Sequence, residues 1–322
     1  MHFSLPARAS DRSLPGSSGY KPRRGGSSRN VRTTAVLAGL VLAGLLALWV
    51  AGKLLVALGG LVFGAAALSG PGSEFRAVMV LPLDRTIYKD DHLAKVIENR
   101  KEYADAHGFG LFVQDIQEHS KKLAGSPKSW AKILVMRDAM AKYPGADVFW
   151  YLDQTALIMN PNIDLVSDIV EPKKLNGLML RDVPVVPPDS VIRTYRHVPA
   201  DRMRFIISQD HEGFQPTSFV LRNGLYANYV LDAWFDKLYR SYSFAKDDRS
   251  ALEHLAQWHP TALSKMAVVP QRTFAAYPSG VPDAQYADGD FVISFVGCDS
   301  PERSCVREFD RYWDDRGRVV KK

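Results

Sequence analysis

Cysteine is nearly absent, with two residues in a chain of 322. That excludes a disulfide-stapled mini-protein and a cysteine-rich zinc array. No Asn-x-Ser/Thr triplet occurs, so N-linked glycosylation is not expected. There is no internal repeat. An excess of one charge sign is also missing from most of the chain. The formal net charge is +6, but residues 1–33 hold seven Lys/Arg against one Asp and account for all of it. The remainder carries 34 basic and 34 acidic residues. A balanced domain offers no basic face, so no nucleic-acid partner is expected. With 46% apolar and 24% charged residues, the composition is that of a folded protein.

Residues 1–33 are rich in Ser, Gly, Pro and Arg and have too few large apolar side chains to build a core. They read as a disordered basic tail. By itself the run KPRRGGSSRNVR would suit a nucleic acid or a nuclear-import receptor. The adjoining segment argues otherwise, because Thr34–Leu68 is apolar except for Lys53. A bilayer core takes about 20 helical residues, so one span fits and two do not. The span is placed at 34–57, with Lys53 snorkelling near the far interface. A cleaved signal peptide, with Ala65-Ala66-Ala67 as its cleavage site, is the weaker alternative, since it calls for a shorter leader and a shorter apolar region. Basic residues on the N-terminal side keep that side cytoplasmic. The expectation is a single-pass type II membrane protein. A stem at 58–75 ends in Ser-Gly-Pro-Gly-Ser, and a lumenal domain occupies 76–322.

Within that domain, Arg76–Leu81 reads as a buried strand closed by Pro82. Asp91 is placed to cap a helix reaching His107, with Gly108 as its stop. Leu111–Val113 reads as a second strand. Ser129 is placed to cap a second helix, stopped by Pro144-Gly145. Val148–Leu152 is apolar at every position, as expected of a strand covered on both faces. Later strands are expected at Met179–Arg181, Ile206–Ser208, Phe219–Leu221 and Phe291–Phe295, and helices at Gly224–Phe235 and Ser250–Trp258. The order strand, helix, strand, helix, strand implies an α/β fold with a doubly wound, mostly parallel sheet. Ligands of such sheets bind beyond the carboxyl ends of the strands. Asp84 follows the first strand there, and Asp153 and Gln154 follow the third.

A carboxylate directly after a central strand is held by the sheet and aimed at the ligand crevice, where it suits a divalent cation bridging a diphosphate. A simple turn residue is the plainer reading of Asp153. The wider pattern favours the first. Asp91-His-Leu-Ala-Lys-Val-Ile-Glu-Asn-Arg-Lys-Glu-Tyr-Ala-Asp-Ala-His-Gly108, Ser129-Trp-Ala-Lys132 and Tyr151-Leu-Asp-Gln-Thr-Ala-Leu-Ile-Met-Asn-Pro161 are followed by Leu231–Tyr242, Ala251–Pro260, Val269–Thr273 and Asp288–Cys298. In this order the blocks resemble glycosyltransferase family 34, and within it the fungal Golgi α-1,6-mannosyltransferase subunits of the mannan polymerase complex. The resemblance covers residues 76–305.

It implies a GT-A fold, retention of the anomeric configuration and a Golgi membrane location. It also implies GDP-mannose as donor, a mannan or N-glycan acceptor, and other mannosyltransferase subunits as partners. A sibling branch uses UDP-galactose. The cofactor implied is a divalent cation, manganese, with Asp153 as its ligand. Two departures bear on that cation. The second acid of the family's Asp-x-Asp falls on Thr155, and a metal-binding His falls on Ser294. A phosphate-binding Lys falls on Asp299. Asp247-Asp-Arg-Ser-Ala-Leu252 resembles a family segment with Gln at the position of Arg249. Asp247 and Asp248 are expected to touch the acceptor or the reacting face of the donor, or else to form a solvated first helical turn. Lys132 is expected to reach the donor phosphates, or to be a surface lysine. These losses leave two classes open, an enzyme and a non-catalytic subunit of a mannosyltransferase complex. Trp130 and Trp258 read as core residues ahead of sugar platforms, and His254 and His259 as structural. Cys298 and Cys305 are compatible with a small disulfide or with two thiols.

Overall fold

Short β-rich runs closed by Pro, Asp or Gly alternate with longer helical ones, and the chain folds accordingly. The computed structural model describes residues 75–280 and 282–317. The tail, the span and all but the last residue of the stem placed at 58–75 lie outside the described residues. Among those described, no helix is long and apolar enough to cross a membrane.

A six-stranded sheet organises the domain. Its strands are β1 (Ala77–Leu83), β2 (Gly110–Asp115), β3 (Val148–Leu152), β5 (Phe205–Asp210), β6 (Gly213–Arg222) and β7 (Met266–Pro270), in the order β2-β1-β3-β6-β5-β7. Only β6 runs against the others, pairing antiparallel with both β3 and β5. The sheet is therefore mostly parallel, as expected. A separate antiparallel pair joins β4 (Ala156–Ile158) to β8 (Val292–Ser294).

β3 sits in the middle, and all five of its residues are buried. Alternate side chains of a strand face opposite ways. Phe149 and Tyr151 enter one core, packed with α2 (Ala131–Lys142), α3 (Leu225–Trp234) and α4 (Asp247–Trp258). Val148, Trp150 and Leu152 enter the other core, with Tyr103 and Ala104 of α1 (Asp90–His107) and with Phe291. Helices on both faces make the sheet doubly wound and explain the unbroken apolar run.

Several expectations need correction. Met179–Arg181 is not a strand; Leu180 N–H makes a single bond to the Val268 carbonyl (2.7 Å) beside the sheet edge. Asp91 lies in the first turn of α1 rather than capping it, with Lys89 at the cap position. Ser129 falls in a short 3-10 turn that leads into α2, and its buried hydroxyl has no hydrogen-bond partner among the described residues. Trp258 is 68% exposed, so it is not a core residue, whereas Trp130 is buried. Cys298 and Cys305 form a disulfide, which closes the loop between β8 and α5 (Cys305–Trp313).

Trp150 is fully buried at the meeting point of this packing and donates its indole N–H to Ser218 Oγ (3.0 Å). Trp150→Ala is expected to lower unfolding free energy by about 3–5 kcal/mol, measured by urea denaturation.

Candidate active site

β1 and β3 are parallel neighbours, so Asp84 and Asp153, each following one of them, arrive at the same edge of the sheet. The join is direct, because Asp84 N–H donates to Gln154 Oε1 (2.8 Å). Beyond these strand ends lies a cleft of about 450 Å³. Asp84, Lys128, Lys132, Asp153, Gln154 and Asp299 line it. Pro82, Ile87, Tyr88 and Ile116 give it an apolar part. Four sequence-predicted residues, Asp84, Lys132, Asp153 and Gln154, therefore share one cavity.

The turn carrying Asp153 is fixed from behind by two residues of α1. Arg100 is fully buried and donates through Nη2 to the carbonyls of Asp153 (2.9 Å) and Ala156 (2.6 Å). Burial drives its pKa down to about 9, and the Asp153 charge opposes that drop. Asn99 acts as a strand edge, donating to the Ile158 carbonyl (3.0 Å) and accepting from Ile158 N–H (2.9 Å). Asp153 Oδ1 accepts from Thr155 N–H (2.9 Å) and Thr155 Oγ1 (2.8 Å). Asp153 Oδ2 accepts one longer bond from Tyr151 Oη (3.2 Å). Burial first, then Asp153 and Asp248, push the Tyr151 phenol far up, so it stays a neutral donor.

Asp84 is buried and accepts from Lys128 Nζ (2.7 Å), Thr86 N–H (2.9 Å) and Thr86 Oγ1 (2.5 Å). Burial would raise its pKa, but the bonds from Lys128 and Thr86 outweigh it and hold the carboxyl below its ordinary value. Tyr88 is pushed the other way, by burial and then by the charges of Asp153, Asp299 and Asp84. Three carboxylates thus bear on one phenol in the cleft.

Lys132 is neither a surface residue nor free. Its Nζ bonds Asp248 Oδ2 at 2.6 Å, with side chains 9% and 4% exposed. Asp248 lies behind the cleft wall, and neither it nor Asp247 lines the cavity. Asp247 adopts a left-handed backbone (φ 42°), uncommon for a residue with a side chain. Burial and then its neighbour Asp248 raise its pKa, against the pull of Lys132. Arg249 faces a different cavity, beside Asp210.

Among the described residues no three His, Cys, Asp or Glu side chains are grouped to hold a metal. Thr155 Oγ1 is engaged with Asp153. Ser294 is buried, with its hydroxyl 3.4 Å from Thr217 Oγ1. A self-sufficient metal cradle is therefore not built. A small hard cation, however, is often held by one or two carboxylates plus substrate phosphates. Asp153, half-buried on the cleft wall with Oδ2 only lightly engaged, fits that role. Arg100, Asn99 and Lys128 had not been singled out as site residues. A signal existed for Arg100, because it occupies the apolar stripe of α1 with Leu93, Val96 and Ala104, where a charge requires buried partners.

The sequence profile of the galactosyl transferase GMA12/MNN10 family matches residues 73–305. An uncharacterized alpha-1,2-galactosyltransferase of Schizosaccharomyces pombe is 34% identical over 225 residues, 69% of this chain and 60% of its own. A probable alpha-1,6-mannosyltransferase of Saccharomyces cerevisiae, MNN11, is 31% identical over 254 residues, 72% of this chain and 60% of its own. This chain thus spans about 60% of the length of these two relatives. A solved glycosyltransferase involved in the glycosylation of the major capsid of PBCV-1 aligns with 74% of this chain and 98% of its own, at 10% identity and TM-score 0.48.

Two outcomes are expected from the cleft's ion pairs. Asp248→Ala strands a buried ammonium and is expected to cost about 3–5 kcal/mol in urea unfolding. Asp84 has a depressed folded pKa, so its stabilisation is complete above the ordinary value of 3.8 and is lost as pH falls through the folded one. Lys128→Ala is expected to shrink the acid-induced drop in urea midpoint, measured from neutral pH downward.

Proposed function

The chain belongs to the galactosyl transferase GMA12/MNN10 family, and on that premise we propose that it is a retaining hexosyltransferase of GT-A type. In this reading it moves mannose from GDP-mannose to an α-1,6-mannan or N-glycan acceptor. The observation that carries the reading is Asp153, presented by a central strand at the wall of a cleft of nucleotide-diphosphate size.

The nucleobase lies against the apolar part of the cleft, formed by Pro82, Ile87, Tyr88 and Ile116. Gln154 and Thr155 face the ribose and diphosphate. Arg100 keeps the Asp153 turn from moving as charge develops, so the carboxylate needs no reorganisation. Asp153 would hold a divalent cation, manganese in this reading, and that cation would supply charge neutralisation for the leaving diphosphate. Lys132 is held at the cleft wall by its bond to Asp248. As the glycosidic bond loosens, the acceptor hydroxyl attacks from the face the phosphate leaves. The departing phosphate takes the proton, so no strong protein base is required. In this reading Asp247, at the head of α4, serves the acceptor although it does not line the cleft.

A second reading has its own support. The similar proteins include galactosyltransferases at 34% identity as well as mannosyltransferases at 31% and 32%. UDP-galactose is therefore the alternative donor. A non-catalytic role in a mannosyltransferase complex remains the alternative of a different class, favoured by Thr155 and Ser294. The apolar run at 34–57, behind its basic leader, supports anchoring as a single-pass type II protein of the Golgi membrane.

Calorimetric titration of the full chain tests the core of the proposal. Manganese alone is expected not to bind measurably, whereas GDP with manganese binds. Asp153→Ala is expected to lose the metal-dependent part, a weakening of about a hundredfold. Transfer to a mannoside acceptor should fall in parallel. Unchanged transfer in Asp153→Ala refutes the assigned role. Stronger competition by UDP than by GDP selects the galactose reading, and no metal-dependent binding of either nucleotide selects the non-catalytic one.

A further inference from the structure

A cavity of about 380 Å³ lies at the other ends of the strands that form the donor cleft. Asp153 follows β3 at one end, and Asp147 precedes it at this one. Arg76 stands just before β1, Arg204 just before β5, and Arg222 ends β6. We propose that this cavity binds a zwitterion that joins a phosphate to a primary ammonium, the chemistry of phosphoethanolamine and of the lipid headgroup built on it. The inference uses none of the residues of the transferase reading and is independent of it.

The lining carries three guanidiniums, Arg76, Arg204 and Arg222, and three carboxylates, Asp147, Glu171 and Asp201. None of the six forms an ion pair within 4.0 Å among the described residues. Elsewhere opposite charges that share a cavity close on one another, as Arg249 and Asp210 do at 2.9 Å. Arg222 Nη2 donates to the Val170 carbonyl at 2.5 Å. Its buried Nε has no hydrogen-bond partner among the described residues, so the fold itself brings Arg222 no carboxylate. Burial lowers the pKa of this group, and the charges of Arg204 and Arg76 lower it further, ahead of the opposing Asp147 and Glu171. An oxyanion among the three arginines would reverse that repulsion. Arg204 Nη1 bonds two nearby carbonyls, Asp201 (2.7 Å) and Met203 (3.0 Å), which fixes the guanidinium without neutralising it.

The acids are held as firmly. Glu171 Oε2 accepts from the N–H groups of Lys173 (2.8 Å) and Lys174 (3.2 Å). Asp147 N–H bonds the Arg76 carbonyl (3.0 Å), so the main chain sets these two residues side by side. Both are exposed, and their side chains make no hydrogen bond among the described residues. Three guanidiniums suit a phosphate better than a carboxylate, because a phosphate has oxygens enough for all of them. The three acids disfavour a phosphate by itself. An ammonium beside the phosphate answers both signs, since its three donors find the carboxylates. The volume lies within the range of ligand cavities, about 300–1,000 Å³. Two sources carry this chemistry, the free phosphomonoester and the phosphodiester headgroup of a phosphatidylethanolamine lipid. Only residues 58–75 separate Arg76 from the apolar run at 34–57, which is the reason to test the lipid source by itself.

Calorimetry on the full chain uses phosphoethanolamine, glycerophosphoethanolamine, inorganic phosphate and ethanolamine as probes, with wild type, Arg76→Gln and Asp147→Asn. Both substitutions fall on exposed side chains, so the variants are expected to keep the wild-type urea midpoint. Phosphoethanolamine is expected to bind wild type about tenfold more tightly than phosphate or ethanolamine. Each variant is expected to lose about tenfold in affinity for it, the effect of one charge-assisted hydrogen bond. GDP with manganese is expected to bind both variants as it binds wild type. Inorganic phosphate is expected to weaken in Arg76→Gln and not in Asp147→Asn. Glycerophosphoethanolamine binding as tightly as the monoester assigns the lipid headgroup, and weaker binding assigns the free phosphomonoester. Phosphate binding as tightly as phosphoethanolamine overturns the zwitterion, as does unchanged phosphoethanolamine affinity in either variant. No binding of phosphoethanolamine by wild type at millimolar concentration overturns the site and leaves the transferase reading untouched. That reading fails instead where GDP with manganese does not bind wild type.

Discussion

A fully buried guanidinium holds this site in shape. Arg100 projects from α1 and bonds the carbonyls of Asp153 and Ala156, so the turn after β3 is fixed by a charge that cannot reach water. Burying a guanidinium is unfavourable, and only hydrogen bonding makes it tolerable. The depressed pKa of Arg100 shows how strongly burial works against it. Asn99 adds a second restraint, stitching Ile158 to the helix.

The same device recurs around the cleft. Lys132 with Asp248, Lys128 with Asp84, and Arg249 with Asp210 are ion pairs that include at least one buried member. Such pairs add little net stability relative to apolar packing, but breaking one is costly because the remaining charge is stranded. Their effect here is positional. Each joins segments far apart in sequence, and together they set α2, α4 and the strand ends in one arrangement. The donor cleft and the cavity beside Asp210 then meet at Val296 and Gly297, in the segment that leads into the disulfide-closed loop.

Much of this architecture was legible in the chain. Val148–Leu152 announced a central strand because an uninterrupted apolar run fits only where both faces are covered. Asp153 marked the end of β3, whereas β1 runs through Pro82 to Leu83 instead of closing at the proline. The ligand crevice follows from the strand ends in a parallel sheet. Met179–Arg181 misled because a short apolar run beside a sheet edge has the composition of a strand without its pairing. Trp258 misled for a related reason: it sits on a helix with a buried face, but at a position turned to solvent. The site was legible as far as Asp84, Asp153, Gln154 and Lys132. The disposition of Asp247, Asp248 and Arg249 was not, since three successive helical residues point in three directions.

The sequence alone determined the α/β alternation, the family and the location of the key carboxylate, because periodicity, breakers and ordered motifs are local properties of the chain. The tertiary structure alone decided which charges neutralise one another. Lys132 finds Asp248 across 116 positions, and Asp210 gathers Arg249 and Tyr277 from 39 and 67 positions away. Those partners are chosen by packing in three dimensions, where a buried charge must take whatever counter-charge or dipole the fold brings within about 3 Å.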